Sequence, residues 1–148
     1  MILEGRFDVG TPASKAWDFL MDLDRLAPCL PGLEEVTQSD DRTFDGMIGA
    51  SVGPMSGKFS FRATILESTP PTELLVRTEG TDSVTKSTVS TNVKLTLAET
   101  GDNRTELRYR ADVDIRGRLA IVGDMILRAA ANVVLAEFAK RFRSRVEG

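Results

Sequence analysis

The chain contains no histidine. Its 148 residues therefore lack the side chain that most often acts as a neutral-pH acid or base, completes hydrolytic triads and ligates zinc, and those chemistries are excluded in their usual form. Cysteine occurs once, as Cys29, so no intramolecular disulfide can form and a reducing cytoplasm is the expected compartment. The stretch Met1 to Val9 lacks the basic and then apolar segments of a secretory signal. There is no excess of positive charge: the net charge of −3 argues against general nucleic-acid binding. No Gly-Lys-Ser/Thr follows Gly53-Pro54 or Gly57, so a phosphate loop is missing. Repeats, linkers and low-complexity tracts are absent as well. The length leaves no room for a second domain, and residues 1–148 read as one domain that buries about two thirds of its unfolded surface.

What is present is a long apolar stretch. From Gly117 to Val146 no proline interrupts, and a helical wheel gathers Arg118, Asp124, Arg128, Asn132, Lys140 and Arg143 on one side. Leu119, Gly123, Ile126, Leu127, Ala130, Val133 and Val134 gather on the other. The pattern predicts one amphipathic helix of roughly 40 Å. It is not a membrane span, because Asp124, Arg128 and Glu137 would each cost about 2.5–3.5 kcal/mol near a bilayer centre.

Strand patterns fill most of the remainder. Ile2 to Val9 alternates, and Thr11-Pro12 then signals a helix start, with the Thr11 hydroxyl as cap and Pro12 in the first turn. Ala13, Ala16, Trp17 and Leu20 make a short apolar stripe, and Asp22 to Leu26 a second short helix. Ala27-Pro28-Cys29-Leu30-Pro31-Gly32 reads as an apolar loop. Further strands are predicted over Leu33–Gln38, Phe44–Val52, Lys58–Ile65, Leu74–Glu79, Val84–Ala98 and Thr105–Ile115, with turns at Ser39-Asp40-Asp41, Gly53-Pro54 and Pro70-Pro71.

One sheet with one apolar face and one long apolar helix must bury those faces on each other. The fold class is α+β: a seven-stranded curved antiparallel sheet wrapped around the C-terminal helix, with two short helices after the first strand. The inward positions mix bulky Phe7, Phe44, Phe59 and Phe61 with small Gly5, Gly46, Ala50, Ala63, Ala111, Gly123 and Ala130. Either the large side chains fill the gaps or an apolar ligand cavity remains at the open end. Glu137 and Arg141, four residues apart, form either a solvated pair or a polar clamp at a cavity end. Lys140, Arg141, Arg143 and Arg145 either complement the helix dipole or face an anionic membrane or acidic partner. Asp8, Asp45, Asp112 and Asp114 fall on outward positions, and Cys29 has no histidine to activate it. No catalytic residue and no metal ligand set is expected.

The element order resembles the helix-grip domains of the START and Bet v 1 superfamily, also called SRPBCC. Three local signatures resemble, more narrowly, the CoxG family of carbon monoxide dehydrogenase proteins: Cys29-Leu30-Pro31-Gly32, Val52-Gly53-Pro54-Met55 before Gly57 and Phe59, and Gly117-Arg118-Leu119-Ala120 through Gly123. The resemblance implies a non-catalytic accessory protein of the molybdenum-containing carbon monoxide dehydrogenase, located in the cytoplasm and peripheral to the inner face of the cell membrane. Many members of that family continue through a flexible linker into a membrane-binding tail, through which the membrane surface would be a partner; this sequence ends at Gly148, either because such a tail has been removed or because the chain is a short homologue.

The respiratory carrier that receives electrons from a soluble dehydrogenase is an isoprenoid quinone, almost insoluble in water. An apolar cavity is expected to hold such a quinone, menaquinone-like, or another lipid. Burial of a prenyl tail at ~25 cal/mol per Å² supplies ample energy with little polar specificity. The expected lining is Trp17, Leu20, Leu30, Phe59, Phe61, Leu119, Gly123, Ile126, Ala130 and Val133, with Glu137 and Arg141 as candidate clamp. Two alternatives remain at this level: a cyclase or hydratase, as some helix-grip domains are, and a structural adaptor without a ligand.

Overall fold

The structure, a computed structural model, describes residues 1–52 and 55–148, with the side chains of Val52 and Met55 left aside. The Gly53-Pro54 turn and the middle of the Val52–Met55 signature lie outside the described residues. Among those described, seven strands and three helices follow in the order β1 (Ile2–Val9), α1 (Ala13–Leu20), α2 (Leu23–Leu26), β2 (Leu33–Asp40), β3 (Thr43–Val52), β4 (Met55–Thr69), β5 (Glu73–Asp82), β6 (Ser87–Gly101), β7 (Arg104–Arg116) and α3 (Asp124–Glu147). All strand pairs are antiparallel, in the order β1-β7-β6-β5-β4-β3-β2. Consecutive strands from β2 to β7 are neighbours, as their hairpin-length connections require. The chain crosses from β1 at one edge to β2 at the other through α1 and α2, which therefore close one end of the curved sheet. A register slip in β4 between Ile65 and Glu67 adds to the curvature.

Helix α1 starts one residue later than its sequence signal. Pro12 occupies the cap position without a side-chain hydrogen bond. The Ala13 N–H donates instead to the Glu99 carboxylate of β6 at 3.1 Å, while buried Thr11 accepts from the Thr105 hydroxyl through its carbonyl at 2.7 Å. A tertiary partner has taken over the cap, which leaves the Thr11 hydroxyl without that role. The apolar loop after α2 holds one 3-10 turn, Ala27–Cys29, and Val84 to Lys86, expected in a strand, form the β5–β6 turn.

The helix expected from Gly117 is broken. A 3-10 segment, Arg118–Val122, is followed at Gly123 (φ 101°) by the start of α3. Gly117, at φ 90°, presses against the β5–β6 turn, where any Cβ would collide with the Lys86 carbonyl. The Leu119 N–H then donates to Ser87 Oγ at 2.9 Å and fixes the segment.

α3 is also rotated relative to the expected wheel. Leu127, Ala131, Leu135, Phe138, Phe142 and Val146 pack inward, whereas Ile126, Val133 and Val134 are 49%, 70% and 45% exposed. Aromatic packing sets the rotation. Phe142 is fully buried, edge-on to Phe7 at 6.1 Å and to Phe19 at 5.2 Å, and Phe138 meets Phe7 at 6.4 Å. Arg128, expected on the solvent side, donates to the Ile2 carbonyl at 2.6 Å, Arg143 donates to the Asp8 carbonyl at 2.9 Å, and Glu147 accepts from the Gly10 N–H at 2.6 Å. Fifteen helical residues advance about 22 Å and six strand residues about 20 Å, so α3 runs parallel to β1 and is pinned along its free edge.

Phe142→Ala should therefore destabilise the fold by about 3–5 kcal/mol in equilibrium urea denaturation, and Val133→Ala by no more than about 0.5 kcal/mol. Equal losses would show that α3 sits with Val133 inward.

Candidate ligand cavity

Packed against β1 and β7, α3 contributes no side chain to the described lining over the inner face of β3, β4 and β5. The space there is a cavity of about 490 Å³. Phe44 and Ile48 of β3, Phe59, Phe61, Ala63 and Ile65 of β4, and Leu74, Val76 and Thr78 of β5 form its floor. Leu33 and Val36 of β2 wall one side; Leu20, Met21, Leu23, Leu26 and Leu30 cover one end, and Leu119 stands at the other. Met21 of this lining is 40% exposed, and the cavity has a mouth to solvent. Thr78 supplies the one hydroxyl among the described lining residues, and no charged side chain is among them.

Only some of the small inward residues create this space. Gly5 is covered by the Tyr109 ring and Gly46 by the Phe61 ring, since a Cβ at either position would collide with them. Ala50 and Ala63 do line the cavity. Close packing thus accounts for the glycines, and the hollow comes from the placement of α3. A wider hollow of about 680 Å³ between the β3–β4 and β5–β6 hairpins is walled by outward Lys58, Ser60 and Thr81 and is open to water.

Of the ten residues expected to line a cavity, Leu20, Leu30, Phe59, Phe61 and Leu119 do so. Trp17 lies deeper, 5% exposed within the core under α1. Gly123 forms the break before α3, and Ile126, Ala130 and Val133 are not among the described lining residues, because the aromatic anchor turns that side of α3 away. Met21, Leu33, Val36, Ile48, Leu74, Val76 and Thr78 escaped the sequence reading. The inward parity of β3 to β5 carried the signal for Ile48, Leu74, Val76 and Thr78.

Glu137 and Arg141 do pair, at 2.9 Å, with both side chains 41% exposed. Arg141 also donates to the Pro28 carbonyl at 3.4 Å, so the pair ties α3 to the 3-10 turn rather than entering the cavity. Beyond Phe59 and Leu119 lies a buried polar node. Asp82, 4% exposed, accepts from the Val84 N–H and the Thr85 hydroxyl, both at 2.9 Å, and the Thr85 oxygen in turn accepts from the Ser87 hydroxyl at 3.0 Å. Its oxygens are spent on holding the turn. Cys29 is fully buried, and burial pushes its thiol above the ordinary range although Arg145 and Arg141 pull it partly back.

A curved antiparallel sheet with a long C-terminal helix on one half and an apolar cavity over the other defines a helix-grip domain of the START type. Solved structures share the fold. A conserved protein from Geobacillus kaustophilus superposes with a TM-score of 0.92 at 18% identity, over 99% of this chain and 95% of its own. A START superfamily protein from Mycobacterium smegmatis gives 0.72 at 15% identity (99% and 97%), and the Zhui aromatase/cyclase from Streptomyces sp. R1128 gives 0.72 at 17% identity (99% and 93%). The chain belongs to the carbon monoxide dehydrogenase CoxG family, which it matches over residues 5–147. No curated protein matches it. Among the described residues, no helix is long and apolar enough to cross a membrane.

Because its thiol is buried and held protonated, Cys29 should resist iodoacetamide at neutral pH in the folded protein and take up one equivalent after unfolding in urea, as read by intact mass. Rapid labelling of the folded protein would place the thiol at the surface.

Proposed function

We propose that this chain is a non-catalytic carrier whose cavity holds a lipophilic respiratory quinone, menaquinone-like, or a lipid of similar shape. The observation that carries the reading is the described lining, which is hydrocarbon apart from a single hydroxyl, Thr78, on the floor. A hydrocarbon wall binds a prenyl chain by area, at about 2.5 kcal/mol per ~100 Å² removed from water, and makes little demand on its exact length. One hydroxyl is enough to orient a quinone carbonyl. The volume falls within the ~300–1,000 Å³ of drug-sized sites, which suits a ring and the first prenyl units, with the remainder leaving by the mouth.

Membership of the CoxG family links the chain to carbon monoxide dehydrogenase. In this reading the molybdenum enzyme is the partner, and the carrier, peripheral to the cytoplasmic face of the membrane, takes reducing equivalents from it to the membrane pool as bound quinol. Among the described lining residues there is no carboxylate, amine or thiol to transfer a proton to or from a ligand, which favours carriage over turnover of the kind named for the Zhui protein.

Mass spectrometry of an organic extract from natively expressed protein should yield a prenylated quinone in stoichiometric amount. Ala63→Phe, which fills the floor, should weaken menaquinone uptake by about tenfold or more in a fluorescence-quenching titration, and Thr78→Val by a few fold, the worth of about one hydrogen bond. Menaquinone uptake by Ala63→Phe equal to that of the unaltered protein would remove the cavity as the site. Conversion of a hydrophobic ketone by the purified protein would replace the carrier with an enzyme.

A further inference from the structure

Two stretches singled out in the sequence, Gly57 with Phe59 and Gly117 with the residues after it, converge on the β5–β6 turn. A Cβ at Gly57 would collide with the Asp82 carboxylate, and one at Gly117 with the Lys86 carbonyl. Both glycines serve close approach. A relay of hydrogen bonds crosses the turn: the Leu119 N–H donates to Ser87 Oγ at 2.9 Å, the Ser87 hydroxyl to the Thr85 oxygen at 3.0 Å, and the Thr85 hydroxyl to Asp82 at 2.9 Å. A carboxylate at the end of such a chain polarises every bond in it.

The relay is fastened to the residue that closes one end of the cavity. Leu119 stands, with Ala50 and Phe59, between the cavity of about 490 Å³ and a polar pocket of about 20 Å³, room for one water. That pocket shares Ser56, Gly57 and Asp82 with the hollow of about 680 Å³ that is open to water. Three spaces thus adjoin in a row, and the Leu119 side chain stands at the partition between the first two.

The segment that carries Leu119 is lightly held. No residue from Arg118 to Val122 is buried. Its 3-10 turns are closed within the segment, by the Ala120 N–H on the Gly117 carbonyl and the Gly123 N–H on the Ala120 carbonyl. Among the described residues, the Leu119–Ser87 bond is its one hydrogen bond to the sheet. Gly117 and Gly123, both at positive φ, stand at its two ends, where a backbone without Cβ turns most freely. We propose that residues 117–123 form a gate, plugged by Leu119 and latched by Ser87, through which a ligand passes between the cavity and the outer hollow. The inference rests on the carrier reading for the identity of what passes. Opening breaks one latch bond and removes one leucine from its contacts, and segments with so few buried groups are those that open locally.

The first test needs no ligand. Thiols are introduced one at a time by Leu119→Cys and, outside the plug, by Ile121→Cys at a position 82% exposed, while buried Cys29 reports opening of the whole fold. Maleimide labelling read by intact mass should be fast at position 121, slower by about tenfold or more at 119, and slowest at Cys29. Adding Ser87→Ala should speed labelling at 119 by about three- to tenfold, the worth of one hydrogen bond, and leave 121 unchanged. Labelling at 119 as fast as at 121, or no faster than at Cys29, overturns the inference, and so does a rate at 119 that Ser87→Ala does not alter. Should Ser87→Ala lower the unfolding midpoint, the comparison of 119 with 121 and Cys29 in the chain that keeps Ser87 decides alone. A second test follows menaquinone by stopped-flow quenching of Trp17, the one tryptophan. Uptake and release should both accelerate in Ser87→Ala with the dissociation constant unchanged; faster release alone would make Ser87 a support of the bound ligand and overturn the latch. Absence of menaquinone uptake by the unaltered protein removes the carrier reading, and the labelling rates still decide the gate.

Discussion

The structure depends on where one ring sits. Phe142 stands edge-on between Phe7 of the first strand and Phe19 of the first helix, three elements distant in sequence. That contact sets both the position of α3 over β1 and β7 and its rotation. The open floor of β3 to β5, the exposed stripe between Met125 and Ala136, and the approach of Arg128 and Arg143 to the edge carbonyls of β1 all follow from it.

A hollow of this kind has a thermodynamic consequence. Cores are packed to crystal density, and hydrocarbon left facing a void forgoes its dispersion contacts. The chain offsets this with long strand pairings, 15 residues each in β4 and β6, and with a second cluster of Leu3, Ala111 and Val113 under the first half of α3. A ligand that fills the hollow restores contacts in the folded state alone and therefore stabilises it by mass action.

Much of the architecture was legible in the sequence. Strand alternation gave β1, β3 and β7 nearly to the residue, because each buries one face only and the pattern has period two, whereas β4, read over Lys58–Ile65, runs from Met55 to Thr69. Leu20, Leu30, Phe59, Phe61 and Leu119 were readable for the same reason, sitting on inward strand positions or in the apolar loop that had to close the end. The rotation of α3 was not legible. Between Leu119 and Ala136 the helix is apolar on nearly every side, so periodicity there selects no face, and the decision falls to Phe138 and Phe142 in the polar half. Arg128 misled in the same way: its charge reads as solvent-facing, yet its long arm lies along the protein and its head caps a strand edge. Gly123 read as a small helical residue for packing, whereas its positive φ makes it the joint that ends the 3-10 segment.

The contacts between α3 and β1 also bear on the company the protein keeps with itself. An open sheet has two edges, and unpaired strand groups at an edge are templates for intermolecular pairing and aggregation. Here the β1 edge is occupied at Ile2, Asp8 and Gly10 by side chains of the same helix that grips the core. The opposite edge, β2, carries Glu34, Glu35 and Asp40, and like charges resist the approach of a second copy. With both edges guarded, the exposed apolar side chains from Met125 to Val134 lie on a helix face, where they cannot propagate as a sheet.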